Sequence, residues 1–262
     1  MNLQEIHSQK QLKKIWEQSI LTFQAPKRLK VSDWADKYRV LTSESSAESG
    51  NWRTNRAEYQ REMMDVVNDR SIEDVVIMTG AQIGKTEILA NIVGFHIAHD
   101  PAPILFVMPS LEMARSWSTQ RFAKMIAASD ALKDKIKDTK SRDSSNTILS
   151  KSFPGGFIAM TGSNSPASLA SRPCRLVLLD EVDRYVPTAE GDAVNLSKKR
   201  TSTFWNRKII MTSTPTVDGA SRIQDAWEKS DKRHYHVPCP ECNQLQKLEW
   251  ANVHWDDDVE AH

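Results

Sequence analysis

Gly84-Lys85-Thr86 and Asp180-Glu181 are the residues of this chain whose types suit them to a nucleoside triphosphate. A lysine ammonium beside a small-residue turn grips phosphate oxygens, and the threonine hydroxyl after it ligates Mg2+. Asp180 would hold the same ion, usually through water. Glu181 would orient and deprotonate an attacking water. The reaction implied is hydrolysis of a terminal phosphoryl group, and it requires two segments far apart in the chain to meet in one crevice.

The elements that must position them are legible. Val75-Val76-Ile77-Met78 is a short buried strand, Thr79 to Gly84 a turn, and Ile88, Leu89, Ile92 and Val93 mark a helix. A phosphate-binding loop has this order, because the unpaired amides and partial positive charge of a helix N-terminus attract an anion. Gly80, Ala81, Gln82, Ile83, Gly84, Lys85, Thr86 and Glu87 are therefore candidate nucleotide contacts. The full G-x-x-x-x-G-K-T pattern would place glycine at 79; this chain has Thr79 there and Gly80 one place late. A second apolar strand, Leu176-Val177-Leu178-Leu179, ends in Asp180-Glu181, and carboxyl ends of strands face the ligand crevice in such sheets. A third, Ile209-Ile210-Met211, ends in Thr212-Ser213-Thr214-Pro215. Ser213 or Thr214 could sit by the terminal phosphate, or could simply be a polar strand end before a proline turn.

The 262 residues allow one large α/β domain or one domain with appendages. A net charge of +1 neither supports nor excludes a nucleic-acid partner, so any DNA-binding surface must be local. The N-terminus lacks an apolar signal core, and the three cysteines make no disulfide framework, so the protein is expected in a reducing cytosol. No apolar run reaches the roughly 18 residues of a membrane span.

Along the chain, residues 3 to 23 read as an amphipathic helix. Ser32 reads as the N-cap of a short helix containing Trp34 and Tyr38. Trp52 to Asn68 should contain a helix turning Tyr59, Met63, Val66 and Val67 inward. Further elements are a strand ending at Met108, a helix from about Leu111 to Ala128, a charged solvated stretch from Lys133 to Asp143, and a hairpin around Phe153-Pro154-Gly155. A helix near Ala193 to Thr201 precedes the last strand. Alternating strands and helices predict a mostly parallel sheet with helices on both faces.

These motifs, in this order, resemble the large terminase subunit, the motor that packages double-stranded DNA into phage heads, most closely its lambda-like branch. The likeness extends to Trp34-Ala35-Asp36, Gly50-Asn51-Trp52-Arg53-Thr54, Asn164-Ser165-Pro166, Glu190-Gly191-Asp192 and Cys239-Pro240-Glu241-Cys242, and covers nearly the whole chain from about residue 30. The resemblance implies a P-loop NTPase of the RecA-like kind that uses ATP and Mg2+. Its expected divisions are an N-terminal helical arm and linker at 1–55, an ATPase core at 56–232, and a partial zinc-ribbon-like segment at 233–262 leading to an absent nuclease domain. Implied partners are double-stranded DNA, a small terminase subunit, the portal of the procapsid and further copies in a ring, in the host cytoplasm with no membrane.

Single residues carry over as well. Tyr59 and Gln60 stand where such motors bind adenine, although Tyr59 could equally be a core residue of its helix. Arg172 resembles an arginine inserted into a neighbour's site, with Arg200 the second choice; either could instead pair with an acidic neighbour. Cys239 and Cys242 have the spacing of half a zinc site, which His234, His236 or His254 would have to complete. Lys198-Lys199-Arg200 and Lys133 to Lys140 are candidate DNA-contacting patches or plain solvated faces. Asp256-Asp257-Asp258 reads as a solvated tail. Two other classes compete: a helicase-like DNA-dependent ATPase, which would need a second motor domain, and a non-hydrolysing nucleotide-dependent scaffold, against which Glu181 argues.

Overall fold

The computed structural model describes residues 28–44, 48–136 and 146–254, together with positions 12, 13 and 16, which are helical. The expected helix at 3 to 23, the central part of the charged stretch after Lys133 and the acidic triplet at 256–258 lie wholly or mostly outside these residues.

Ten strands are described: β1 (Val40–Leu41), β2 (Gly50–Asn51), β3 (Asp74–Met78), β4 (Ile104–Met108), β5 (Ser150–Phe153), β6 (Gly156–Gly162), β7 (Leu176–Asp180), β8 (Lys208–Ser213), β9 (Val237–Pro238) and β10 (Leu245–Gln246). Six form the central sheet in the order β3-β8-β7-β4-β6-β5, parallel except for β5. The chain passes from β3 across to β4 through the helix Lys85–Ala98, and β7 and β8 then fill the gap between them. That order sets the carboxyl end of β8 between those of β3 and β7, beside the loop that follows β3.

Sequence and position agree strand by strand. The central β4, β7 and β8 are buried at every residue; β4 is apolar throughout, and β7 and β8 carry apolar runs that give way to polar residues only at their ends, as strands covered on both faces do. Edge strand β3 alternates between buried and more exposed positions. The helix Lys85–Ala98 is apolar nearly all round because it is buried all round. On its outer side lies Trp34: a Cβ built on Gly94 would stand 2.3 Å from that ring, so only glycine allows the close approach. The helix Val31–Tyr38 thus belongs to the main core although it lies within the expected N-terminal arm.

Ser32 is not the N-cap of that helix. Lys30 occupies the cap without a side-chain bond, and the first-turn amides are satisfied from outside: Val31 N donates to Asn68 Oδ1 at 3.0 Å and Ser32 N to Asp65 Oδ1 at 2.9 Å. The 52–68 region is a 3-10 turn at Thr54–Ala57, a helix at Tyr59–Asp65 and another 3-10 turn at Val66–Asn68. Trp52, Thr54, Gln60, Met64 and Val67 are its buried residues, with Met63 and Val66 packed partly buried against the core. The long helix after β4 contains a π-helical stretch at Trp117–Phe122, where the Trp117 ring lies 4.5 Å from Phe106 and 5.1 Å from Phe122. The hairpin at Phe153-Pro154-Gly155 is present, its first strand beginning at Ser150.

Candidate functional site

The loop after β3 is held from both ends. Thr79 N donates to Ser213 O at 3.2 Å, joining the start of the loop to the end of β8. The reversal uses left-handed backbone at Gln82 (φ 59°) and Gly84 (φ 89°). The left-handed backbone at Gly84 favours glycine, and a Cβ there would fall 2.6 Å from Gln60 Nε2 and push that side chain off Ile83 O. At Gly80 a Cβ would meet nothing within 4 Å. Packing therefore does not pin the first glycine of the motif, in keeping with its displacement from position 79.

Three strand-end segments, those after β3, β7 and β8, converge on Lys85. Its ammonium, 6 % exposed, donates to Gly80 O at 2.9 Å and to Thr214 Oγ1 at 2.8 Å, and lies 3.7 Å from Glu181 Oε1. Beside it, Thr86 Oγ1 donates to Asp180 Oδ2 at 3.2 Å, while Thr212 Oγ1 donates to Asp180 Oδ1 at 2.8 Å. Burial pushes the Asp180 carboxyl above its usual range, against the pull of the Thr212 and Thr86 hydroxyls. A buried carboxylate short of positive charge, next to a hydroxyl, is a fitting pair of hard oxygen donors for Mg2+. Among the described residues no group of three or more His, Cys, Asp or Glu could hold a metal. Mg2+ commonly takes one or two carboxylates and completes its shell with water and substrate phosphate.

Glu181 itself sits at φ 54° and ψ 53°, a left-handed conformation that costs a non-glycine residue of order 1–3 kcal/mol. It lies between two cations, since Arg184 Nε approaches Glu181 Oε2 to 3.9 Å from the side opposite Lys85.

The remaining predicted residues divide. Ser213 Oγ accepts from Asp183 N at 3.3 Å and donates to Thr214 O, so it faces the turn after β7 while Thr214 faces Lys85. Tyr59 Oη and Gln60 Nε2 both donate to Ile83 O, at 3.1 and 2.7 Å, and buttress the loop. Tyr59 also lines a cleft of about 340 Å3 along the free edge of β3, with Trp227 and Tyr235 among the other lining residues. The carboxylate of Glu87 is engaged with Arg39 at 2.7 Å and Arg121 at 2.9 Å.

The two candidate arginines are not in this crevice. Arg172 precedes the amino end of β7, opposite the phosphate loop, and stacks over Phe157 at 5.3 Å. Arg200 donates to Ala170 O at 3.0 Å. Cys239 and Cys242 form a tight knuckle between β9 and β10, closed by Cys239 N to Gln244 O and Asn243 N to Cys239 O, each 2.9 Å. No third ligand joins them among the described residues, so the expected zinc site finds no support.

Sequence reasoning missed Thr212, Arg184 and Arg39. Thr212 lies within the quoted run that ends the third strand and Arg184 closely follows Asp180-Glu181, so polarity at a strand end was the available signal. Arg39 was invisible because its partners, Glu87 and Asn91, are distant in sequence.

The family described as "Phage terminase large subunit gpA, ATPase domain" matches residues 46–262. The large terminase subunit of Enterobacteria phage P21 is 25% identical over 237 residues, covering 89% of this chain and 37% of that protein. That of Escherichia phage lambda is 24% identical over 225 residues, covering 84% and 35%. The chain thus spans little more than a third of the length of these curated relatives. Among solved structures, the large terminase ATPase domain of Thermus phage P74-26 is similar, with a TM-score of 0.46 and 15% identity over 67% of this chain and 72% of that one.

Proposed function

This chain belongs to the family of phage terminase large-subunit ATPase domains, and from that premise we propose that it hydrolyses ATP with Mg2+ to move double-stranded DNA into an empty capsid. The observation that carries the reading is the meeting of Lys85, Thr214, Glu181, Asp180 and Thr86 within one crevice. Lys85 neutralises charge on the transferred phosphoryl group, and its present bonds to Gly80 O and Thr214 Oγ1 hold it over the loop until substrate arrives. Thr86 and Asp180 would hold Mg2+, which would supply charge neutralisation between the phosphates. Glu181, set between Lys85 and Arg184, accepts the proton of the attacking water. Thr214 touches Lys85 and so senses whether a terminal phosphate is present.

The base of ATP fits the cleft beside Tyr59, whose ring offers a stacking face directly behind the phosphate loop. Arg172, too far round the sheet to serve its own site, is offered to a neighbouring copy in a ring. DNA contacts are to phosphates and nearly independent of sequence. The small terminase subunit and the portal are the expected partners, in the host cytoplasm. Among the described residues no helix is long and apolar enough to cross a membrane.

The test is phosphate release from mixed chains in the presence of DNA, with Lys85→Ala as the inactive control. Glu181→Gln and Arg172→Ala chains, each slow alone, should regain turnover when mixed, because one supplies the arginine and the other the intact carboxylate. An Arg172→Ala chain as fast as wild type removes the neighbour-supplied arginine. A wild-type chain no faster than Lys85→Ala removes the hydrolytic reading altogether.

A further inference from the structure

Two residues beyond Glu181, Asp183 bonds to three separate segments. Its backbone N–H donates to Ser213 Oγ at 3.3 Å, reaching the end of β8. Its Oδ2 accepts from Thr216 N at 3.0 Å and from Thr216 Oγ1 at 3.2 Å, holding the loop after β8. Its Oδ1 accepts from Ile223 N at 2.9 Å, fixing the first turn of the helix Arg222–Glu228. Thr214, which touches Lys85, therefore lies between two residues, Ser213 and Thr216, that are both bound to Asp183. At its far end the same helix carries Trp227 into the cleft beside β3.

We propose that Asp183 is a positioning residue that locks the Glu181 turn to the segment 214–228, so that a change at the hydrolytic carboxylate and a change at Thr214 move that segment as one piece. The inference rests on the hydrolytic reading of the site and adds the part that carries its outcome away from the phosphates. The left-handed backbone at Glu181 supplies the reason for a lock: a strained turn persists only where its surroundings over-determine it. The chemistry also demands a carboxylate. Both oxygens accept from backbone N–H groups at once, which an amide side chain cannot reproduce. Whichever way an asparagine is turned, its NH2 faces either the Thr216 or the Ile223 amide. The Asp183 carboxyl lies below its ordinary range: burial raises it, and the bonds from Ser221, Ile223 and Thr216 outweigh that.

Asp183→Asn is the test, read in three ways on the full chain. Nucleotide affinity should stay within about threefold of wild type, while kcat falls at least about tenfold, a loss of ~1.4 kcal/mol in transition-state stabilisation. Hydrogen exchange over 214–228 should differ between an ATP analogue and ADP in wild type, and this difference should vanish in the variant. A purely structural cap would instead raise exchange equally in both states and leave kcat alone. Either a kcat within threefold of wild type or a retained nucleotide-dependent difference overturns the proposal. Should Asp183→Asn not fold, Thr216→Val removes only the hydroxyl donor; its kcat must drop about two- to threefold, and an unchanged value overturns the proposal equally. Failure of the hydrolytic reading looks different, since wild type would then match Lys85→Ala.

Discussion

At the carboxyl ends of β3, β7 and β8, a buried lysine and two acids lie on backbone that is forced left-handed at Gln82 and Glu181. At the amino ends of the same strands, Arg175 reaches Asp100 with both terminal nitrogens and His96 with one, and Lys208 donates to the carbonyls of Asp69 and Ile72. The two ends use similar residues. At the lower end each of these cations is matched by acceptors and no residue beside them has a positive φ. At the upper end Asp180 is pushed up by burial and Glu181 is strained. The contrast teaches that the upper end combines buried charge with left-handed backbone in one crevice, while the opposite end uses its charges to tie the sheet together.

The largest expected effect breaks the upper end. Glu181→Gly should lower phosphate release by at least about 10²-fold, as loss of a general base does. It should leave the thermal midpoint unchanged or raised, because glycine occupies the left-handed region without cost. A midpoint that falls would mean that the left-handed turn at Glu181 carries no net strain.

The lower end should give the reverse result. Arg175→Met should cost about 1 kcal/mol in a denaturant melt, a charged hydrogen-bond value discounted because Asp100 is half exposed. Turnover should stay within twofold of wild type. Asp100 is opposed by burial but held below the usual carboxylate range by His96 and Arg175. A depressed carboxyl stabilises the fold above its unfolded pKa, and the contribution is lost as pH falls below about 4. The acid limb of the stability curve should therefore flatten in the variant, and an identical limb would remove the assignment.

The smallest effect concerns the thiols. Cys174, at the lower end, is buried with its thiol pushed up to about 12, whereas Cys239 is only half-buried and lowered by hydrogen bonds from the Cys242 and Glu241 groups. A brief alkylation at pH 7.5 followed by peptide mapping should label Cys239 and spare Cys174 until the chain is unfolded. Labelled Cys174 in the native chain would show that the lower end opens.

Legibility followed the range of the interactions. The strand, loop and helix around Lys85 and the apolar strand ending at Asp180 were readable because period, small residues and flanking polarity are local signals. That the two segments meet could be inferred from strand-end logic, and the strand order brings it about. The cap of the helix Val31–Tyr38 was misread because Asp65 and Asn68, more than thirty residues away, satisfy its amides. Arg172 was legible as an arginine near a motif, but its placement at the opposite sheet end depends on the path of the chain from Pro166 to Leu176. Two cysteines at knuckle spacing predict a turn better than they predict a metal, since spacing says nothing of a third ligand.

Glu87 follows directly on the residue expected to touch Mg2+, yet its side chain turns backwards, to Arg39 in one layer and Arg121 in another. Arg39 in turn grips Asn91 one helical turn along. The helix Lys85–Ala98 is thereby clamped at its head on two sides, so it can neither roll nor slide without breaking charged contacts. Thr86 stands on that fixed head, and any displacement relative to it falls to the strand-end loops that face it.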